Sequence, residues 1–402
     1  MKKRIMLLGG LRFLIPVIEQ CHKMGIYVIT ADYLPGNIAH KFSDEYCNVS
    51  IIDKESVLEA ARRLQIDGIL SYAVDPGVVS AAYVAEQLGL PYQCSYETAL
   101  VLQHKALFRE YLEDHGFNCP RSHGYSCIAE VLEDVDRYSW PVIVKPVDSA
   151  GSKGVVKVEN PDQLLSAFNR ALSCSPSKRV IIEEFLDKVG EQSSADIFVI
   201  DEKLVYPIFS DQLFDPKAEN PFTPAMEIWP SSMEQRYQDD LTVQLQRLIS
   251  LLNIKSGLFN VESRVCSNGK AYIMEFSPRG GGNRIAEIQT LATGAPLIEN
   301  EIRMALGLPL IAVEKPRYDG VWVNLILHTN IEGVFKGVTI DPAFRQYIKY
   351  EDFSVKPGTH ITGFSGANSS LGSLFLRFED RKQFCREVTN INQVIHILLE
   401  AN

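Results

Sequence analysis

Four short apolar runs, at residues 4–8, 27–31, 46–51 and 67–72, recur through the first hundred positions, with helix-period stretches at 13–24, 55–64 and 78–88. The last stretch places Val78, Ala81, Ala82, Ala85 and Leu88 on one face. Buried strands alternating with amphipathic helices predict a parallel sheet covered by helices. Ligands in such sheets gather beyond the carboxyl ends of the strands, which nominates Gly9-Gly10, Asp32 and the turn at 73–76. Gly9-Gly10-Leu11-Arg12 is not G-x-G-x-x-G, so a nicotinamide-type dinucleotide has little support.

Gly89-Leu90-Pro91 closes this unit, and a helix predicted over 95–115 carries Lys105. From about residue 120 the pattern changes to hairpins with few helices, an α+β arrangement. Strands are expected at 155–158, 180–186, 196–200 and 204–209, and an amphipathic helix at 238–252. Residues 211–232 hold four prolines and little periodicity, which predicts a long loop of the kind that serves as a lid. Further short strands and a helix after Asn390 complete the chain. The expected divisions are an N-terminal α/β parallel-sheet domain over 1–95, α+β domains over 96–310, and a C-terminal α+β part over 311–402 that completes the preceding domain, acts as a lid or forms a dimer surface.

Composition narrows the partners. The chain has 402 residues, 46% of them apolar, enough for two or three domains with well-buried cores. A formal net charge of -10 opposes general attraction to nucleic acid or anionic membrane but leaves room for a local basic pocket. No uncharged apolar stretch reaches the ~18 residues of a membrane-spanning helix, and the N-terminal run stops at Arg12 without a cleavage signal. Eight cysteines without a C-x-x-C pair read as reduced thiols, and a cytoplasmic location is expected. No spacing of histidines suits a metal site.

Three segments carry candidate chemistry. In the first, an apolar strand delivers Lys145, and the small-residue loop from Ser149 to Gly154 follows before another strand. Backbone N–H groups in such a loop can surround phosphate oxygens while a lysine neutralises them. It is not a P-loop, since G-x-x-x-x-G-K-[ST] is absent. The second is Ile181-Ile182-Glu183-Glu184-Phe185-Leu186, followed by Glu191, a strand ending in acidic residues. The third has Asn268-Gly269 between two alternating runs, which predicts a hairpin with a two-residue turn. With Ser267 facing Lys270, Glu262 lies opposite Glu275 and Asn260 opposite Ser277. Two carboxylates about 5 Å apart at Cβ repel unless a cation lies between them, and their oxygens suit Mg²⁺.

Lysine on a helix, V-K-P with a glycine-containing loop, E-E-F-L, then N-V-E…M-E-F-S-P-R resembles the ATP-grasp superfamily, over residues 95–300 and, with the companion N-terminal domain, over 1–95. The layout is similar to the branch containing phosphoribosylglycinamide synthetase, carbamoyl phosphate synthetase halves, biotin carboxylase and amino-acid ligases. The resemblance implies that Lys105 and Lys145 hold the α- and β-phosphates of ATP. It makes the loop Ser149, Gly151, Ser152, Lys153 and Gly154 the cover of the β- and γ-phosphates. Glu183, with Glu184 and Leu186, would meet adenine, and Glu191 the ribose. Glu262, Glu275 and Ser277 would bind Mg²⁺ (or Mn²⁺). Arg279 would stabilise the transferring phosphoryl group with Lys153 as a second catalytic group, and Arg284 and Glu287 would meet the substrate. Two positions depart from the family pattern: His104 stands where the family has Asp, and Ser277 where it has Asn.

The function so implied is an ATP-dependent, Mg²⁺-dependent carboxylate–amine ligase working through an acyl phosphate and releasing ADP and phosphate. Its partners would be a small-molecule carboxylate and an amine, with no nucleic acid or membrane, and a homodimer is compatible with it. The alternatives are a bicarbonate-activating enzyme of the carboxylase or carbamoyl phosphate synthetase kind, and a nucleotide-binding protein without turnover.

Overall fold

The computed structural model describes residues 2–149, 153–389 and 391–400. The first four apolar runs form a parallel sheet in the order Glu45–Asn48, Tyr27–Asp32, Arg4–Leu8, Gly68–Leu70. Helices Ile15–Lys23, Lys54–Leu64 and Asp75–Leu88 cover it. The third starts with Asp75-Pro76, where proline's missing N–H costs nothing, and stops at left-handed Gly89. This unit shares a core with the middle of the chain: Leu14, Val17 and Ile18 belong to one cluster with Ile288, Leu297 and Ile302. At Gly68 a Cβ would stand 2.4 Å from the Ala305 carbonyl oxygen, so glycine lets the two parts close. That docking fixes where the turn at 73–76 points.

The single helix predicted over 95–115 is two, Tyr96–Gln103 and Lys105–Asp114. His104 between them is extended (φ −107°, ψ 104°), and its Nδ1 accepts the Leu107 N–H at 3.3 Å. The histidine is therefore an N-cap, a task that aspartate performs equally well. The break puts Lys105 at the first position of the second helix, with its own N–H on the Val147 carbonyl at 2.8 Å. Burial holds the His104 imidazole below its ordinary pKa, in the neutral form that can accept. His104→Ala should lower stability by about 1 kcal/mol in thermal melts, whereas His104→Asp should restore it.

Two four-stranded sheets follow. One is antiparallel in the order Ser122–Tyr125, Val180–Glu184, Val142–Pro146, Val156–Val158; the other runs Lys203–Tyr206, Ser193–Ile200, Gly257–Val265, Ala271–Ser277. Helix Gln235–Leu251 packs on the second through Leu241, Leu245 and Leu248.

The segment 211–232 is not a loop. Asp211–Phe214 and Pro224–Trp229 are antiparallel strands. Pro216 and Pro221 lie in their connection, Pro224 opens the second strand and Pro230 follows it, so none interrupts a ladder where an N–H is needed. Strands from 311–402 join the same layer. Val321–Leu327, Gly372–Phe378 and Ile348–Phe353 continue this hairpin into one five-stranded sheet. The expected C-terminal helix is one turn, Ile391–Val394, after which Ile395–Glu400 pairs as a strand with Gly333–Ile340. Ile395, Ile397 and Leu399 turn inward in alternation with His396, Leu398 and Glu400, a period of two rather than 3.6. Among the described residues, no helix is long and apolar enough to cross a membrane, and none of the eight cysteines forms a disulfide.

Candidate active site

The three antiparallel layers and the turn at 73–76 enclose a cleft of 1410 Å³. Of the predicted site residues, Lys105, Lys145, Ser149, Lys153, Glu183, Leu186, Glu191, Glu262, Glu275 and Arg279 line it. Gly154, Glu184, Ser277, Arg284 and Glu287 do not, while Gly151 and Ser152 lie outside the described residues. The turn nominated from the N-terminal sheet contributes Ala73, Val74, Asp75 and Pro76. Gly9, Gly10 and Asp32 stay away from the cleft; Asp32 accepts the Leu34 N–H and the Asn37 amide.

Glu262 does face Glu275, and Asn260 faces Ser277. The route to that register differs from the expected one. The turn has three residues, Ser267 to Gly269, closed by Cys266 N–H on the Lys270 carbonyl and ending on left-handed Gly269 (φ +74°). A bulge then passes over Met274 and restores the pairing beyond it. Burial, and next the like charge of Glu275, push the Glu262 carboxyl from its ordinary 4.5 to about 7. Gln192 Nε2 donates to Glu262 at 3.2 Å, and the nearest cationic atom to Glu275 is Arg279 Nη2 at 3.8 Å. Two facing carboxylates so poorly compensated fit a divalent cation. Among the described residues there is no group of three or more His, Cys, Asp or Glu forming a ready-made cage. That is the ordinary case for Mg²⁺, which takes one or two carboxylates and completes its shell with water and phosphate.

On the opposite wall, the strands bearing Lys145 and Glu183 pair directly. Glu183, 2% exposed, accepts Arg109 Nε at 2.8 Å and meets Lys145 Nζ at 2.6 Å. Burial alone would raise its pKa, but Arg109 and Lys145 together hold it at about 2, while burial takes Lys145 down to about 8. The Glu183 carboxylate is thus engaged in positioning Lys145, and adenine contact through it requires this triad to open. Glu184 turns away to Arg121, 3.5 Å distant. Leu186 packs with Met274, Cys266 and Tyr272 to give the cleft an apolar patch suited to a planar base. Lys105 Nζ bonds the Ser149 carbonyl at 2.7 Å and so holds the end of the segment that follows Lys145. Gly154 (φ +74°) turns against Cys174, whose Cβ would be 2.9 Å from an added Cβ. Glu191 pairs with Lys188 at the rim.

Glu183→Gln should cost about 3 kcal/mol, because Arg109 and Lys145 would remain buried without their counter-charge. The depressed carboxyl also sets the sign of a pH effect. Its stabilisation is complete above the ordinary 4.5 and is lost as pH falls toward about 2. Denaturant midpoints against pH should show this acid limb in the parent protein and its absence in the variant.

Arg279 is 7% exposed and grips Asp75 with two bonds, Nε to Oδ1 at 2.7 Å and Nη2 to Oδ2 at 2.9 Å. Burial opposes the Asp75 charge, but Arg279 outweighs it and holds the carboxyl below its ordinary value. Ser277 is fully buried; its hydroxyl donates to Asp75 and accepts from Gln103. It thus supports the Asp75–Arg279 pair and does not line the cleft. The glycines after Arg279 have a similar cause: both carboxylate oxygens of buried Asp196 accept the Gly281 N–H, and a Cβ on Gly281 would stand 2.8 Å from that carboxylate. Asn260 also donates to Asp196, at 2.9 Å, which makes this aspartate an anchor of the loop.

Arg284 and Glu287 form a bridge behind the cleft. Arg284 meets Glu287 at 3.1 Å, Asp352 at 3.4 Å and the Tyr350 hydroxyl at 2.6 Å, while Arg12 reaches Asp352 at 3.0 Å. The cluster ties the N-terminal unit, the glycine turn and the C-terminal strands together. Arg109 and Gln192 also line the cleft and were not among the predicted site residues, whereas Asp75 belongs to the nominated turn and Gln212 and Glu227 to the segment expected to be a lid. Arg109 alone carried a local signal, four residues after Lys105 on the same helix face.

Residues 138–287 match the ATP-grasp domain family. The chain is 25% identical over 218 residues to the carbamoyl phosphate synthase large chain of Thermoanaerobacter sp. (strain X514), covering 54% of this chain and only 20% of that one. Among solved structures it is similar to the L-amino acid ligase from Bacillus licheniformis, with TM-score 0.81 and 19% identity over 99% of both chains. It is also similar to the phosphoribosylglycinamide synthetase from Anaerococcus prevotii, with TM-score 0.76 and 19% identity over 100% of both.

Proposed function

The chain carries an ATP-grasp domain within an ATP-grasp fold, and from that premise we propose that it is an ATP-dependent ligase joining a small carboxylate to an amine. The observation that carries this reading is the convergence in one cleft of Lys105, Lys145, Lys153 and Arg279 with the facing pair Glu262 and Glu275. Phosphoryl transfer demands positioning and charge neutralisation more than covalent participation by the protein. Lys105 and Lys145 supply positive charge for phosphate oxygens, and the patch at Leu186 and Met274 supports a base. Glu262 and Glu275 would hold Mg²⁺, which neutralises charge on transferring phosphate. Arg279, oriented by Asp75, faces the developing charge on the phosphoryl group. Phosphorylation of the carboxylate gives an acyl phosphate, whose attack by an amine releases phosphate; enclosure of the cleft protects that intermediate from water.

The test is ADP release from Mg²⁺-ATP across pools of carboxylates, amino acids, amines and bicarbonate. Stimulation that requires one carboxylate and one amine together is the expected result. Stimulation by bicarbonate alone would replace this reading with a bicarbonate-activating enzyme, and nucleotide binding without ADP release in any pool would replace it with a binding protein.

A further inference from the structure

Beside the facing glutamates runs a row of polar side chains that the phosphoryl chemistry does not use. Gln212, Glu227 and Asn324 occupy registered positions on three adjacent strands of the five-stranded sheet. Gln192 Nε2 donates both to Gln212 at 3.0 Å and to Glu262 at 3.2 Å, and Gln212 Nε2 donates to Glu227 Oε1 at 3.2 Å. Two glutamines thus connect Glu227 to the metal-binding pair. Asn324 Nδ2 donates to the Asn283 carbonyl at 2.6 Å, which brings Asn283 to the same place and fixes the orientation of the Asn324 amide.

Three atoms of this cluster are buried with no hydrogen-bond partner among the described residues: Glu227 Oε2, Asn283 Oδ1 and Asn324 Oδ1. All three are acceptors. Buried acceptors left unpaired are costly and rare, and the two on the cleft wall, Glu227 Oε2 and Asn283 Oδ1, point to a ligand that donates. Glu227 is 1% exposed and lines the cleft wall with Asn283. Among the described residues no cationic side chain forms an ion pair with Glu227; burial first, and the charges of Asp196 and Glu262, push its carboxyl up to about 8 against hydrogen bonds from Gln212 and Asn324.

We propose that Glu227, with the amide oxygen of Asn283 beside it in the cleft wall, forms a subsite for a protonated primary amine carried by the substrate. A primary ammonium has one positive charge and three N–H donors, which match one carboxylate and a neutral oxygen and leave one donor for water. The subsite refines the ligase reading and rests on it for the identity of the substrate, which is either an amino acid whose carboxylate is phosphorylated or an amine in its resting, protonated form.

The experiment is isothermal titration of the full chain, with and without Mg²⁺-ADP, with amino acids, their des-amino carboxylates and simple alkylamines. At least one amine-bearing compound should bind, its des-amino counterpart should bind about 100-fold or more weakly, and Glu227→Gln should weaken the amine by about 30-fold. Equal binding of amino and des-amino partners, binding of no amine, or unchanged affinity in Glu227→Gln would overturn the proposal. The comparison of ligands on the parent protein decides the matter if the variant does not fold. Failure of the parent protein to bind Mg²⁺-ADP would instead count against the ligase reading, while the nucleotide-free titrations still decide this one. ADP release with the bound amino acid alone would place the ammonium on the phosphorylated acid; release only after a separate carboxylate is added would place it on the attacking amine.

Discussion

Glu275→Ala is expected to abolish ATP turnover while leaving the protein as stable as before, or more so. The activity loss follows from removing half of the carboxylate pair in the proposed metal site; about 10³-fold is the scale for losing such electrostatic stabilisation. The stability follows from the same geometry with the opposite sign. Glu262 and Glu275 face each other on adjacent strands, where like charges destabilise, and Glu262 is raised from 4.5 to about 7. A carboxyl raised by folding makes the native state bind more protons than the unfolded chain, so this contribution is lost as pH rises from 4.5 through about 7. Removing Glu275 relieves the repulsion. Mg²⁺ should raise the melting temperature of the parent protein, more at pH 8 than at pH 5, and should leave that of the variant nearly unchanged. Near-normal turnover in the variant would remove Glu275 from the metal site, and a large fall in its stability would mean that the pair is held by something other than a cation.

Arg279→Ala, by contrast, should cost both activity and stability. Loss of a guanidinium that stabilises a transferring phosphoryl group costs about 10³–10⁵-fold in rate. Its removal also leaves Asp75, whose side chain is 21% exposed, without its two-bonded partner. Breaking such a pair from one side costs about 3 kcal/mol, the low end for buried pairs, because Asp75 retains some water. Adding Asp75→Asn should recover part of the stability, since no uncompensated charge then remains, and none of the rate. Chemical denaturation and single-turnover ADP formation on the two variants separate the effects. Full recovery of rate in the double variant would show that Arg279 matters only as a counter-charge.

Periodicity was enough for the parallel sheet, its helices and the pairing of Glu262 with Glu275. The last of these emerged through compensation: the three-residue turn shifts the register by one, and the bulge at Met274 shifts it back. No local pattern announces a bulge, so the facing pair was legible and the path to it was not. The strands at 211–214 and 224–229 stayed hidden because four prolines close together signal a loop, whereas at a turn or a strand's first position proline is compatible with a sheet. The ion pairs that build the cleft are a different matter. Arg109 and Glu183 are 74 residues apart in sequence, and Asp75 and Arg279 are 204 apart. Such partners become visible only when the sheets have been folded together. Ser277 shows the limit of analogy: it occupies a ligand's position in the motif, yet its hydroxyl is committed to Asp75 and Gln103.

The five-stranded sheet has a consequence for synthesis of the protein. The sheet that carries Lys145 and Glu183 is built from residues 122–184, contiguous in the chain, and can close soon after it leaves the ribosome. The wall that carries Glu227 cannot, because its strand Pro224–Trp229 must wait for Val321–Leu327, which in turn pairs with Gly372–Phe378. Until then Pro224–Trp229 is an unpaired edge, open to association with other chains. The half of the cleft with the proposed nucleotide site therefore takes shape before the half with the proposed amine subsite, and a nascent or truncated chain passes through a stage that has the first wall without the second.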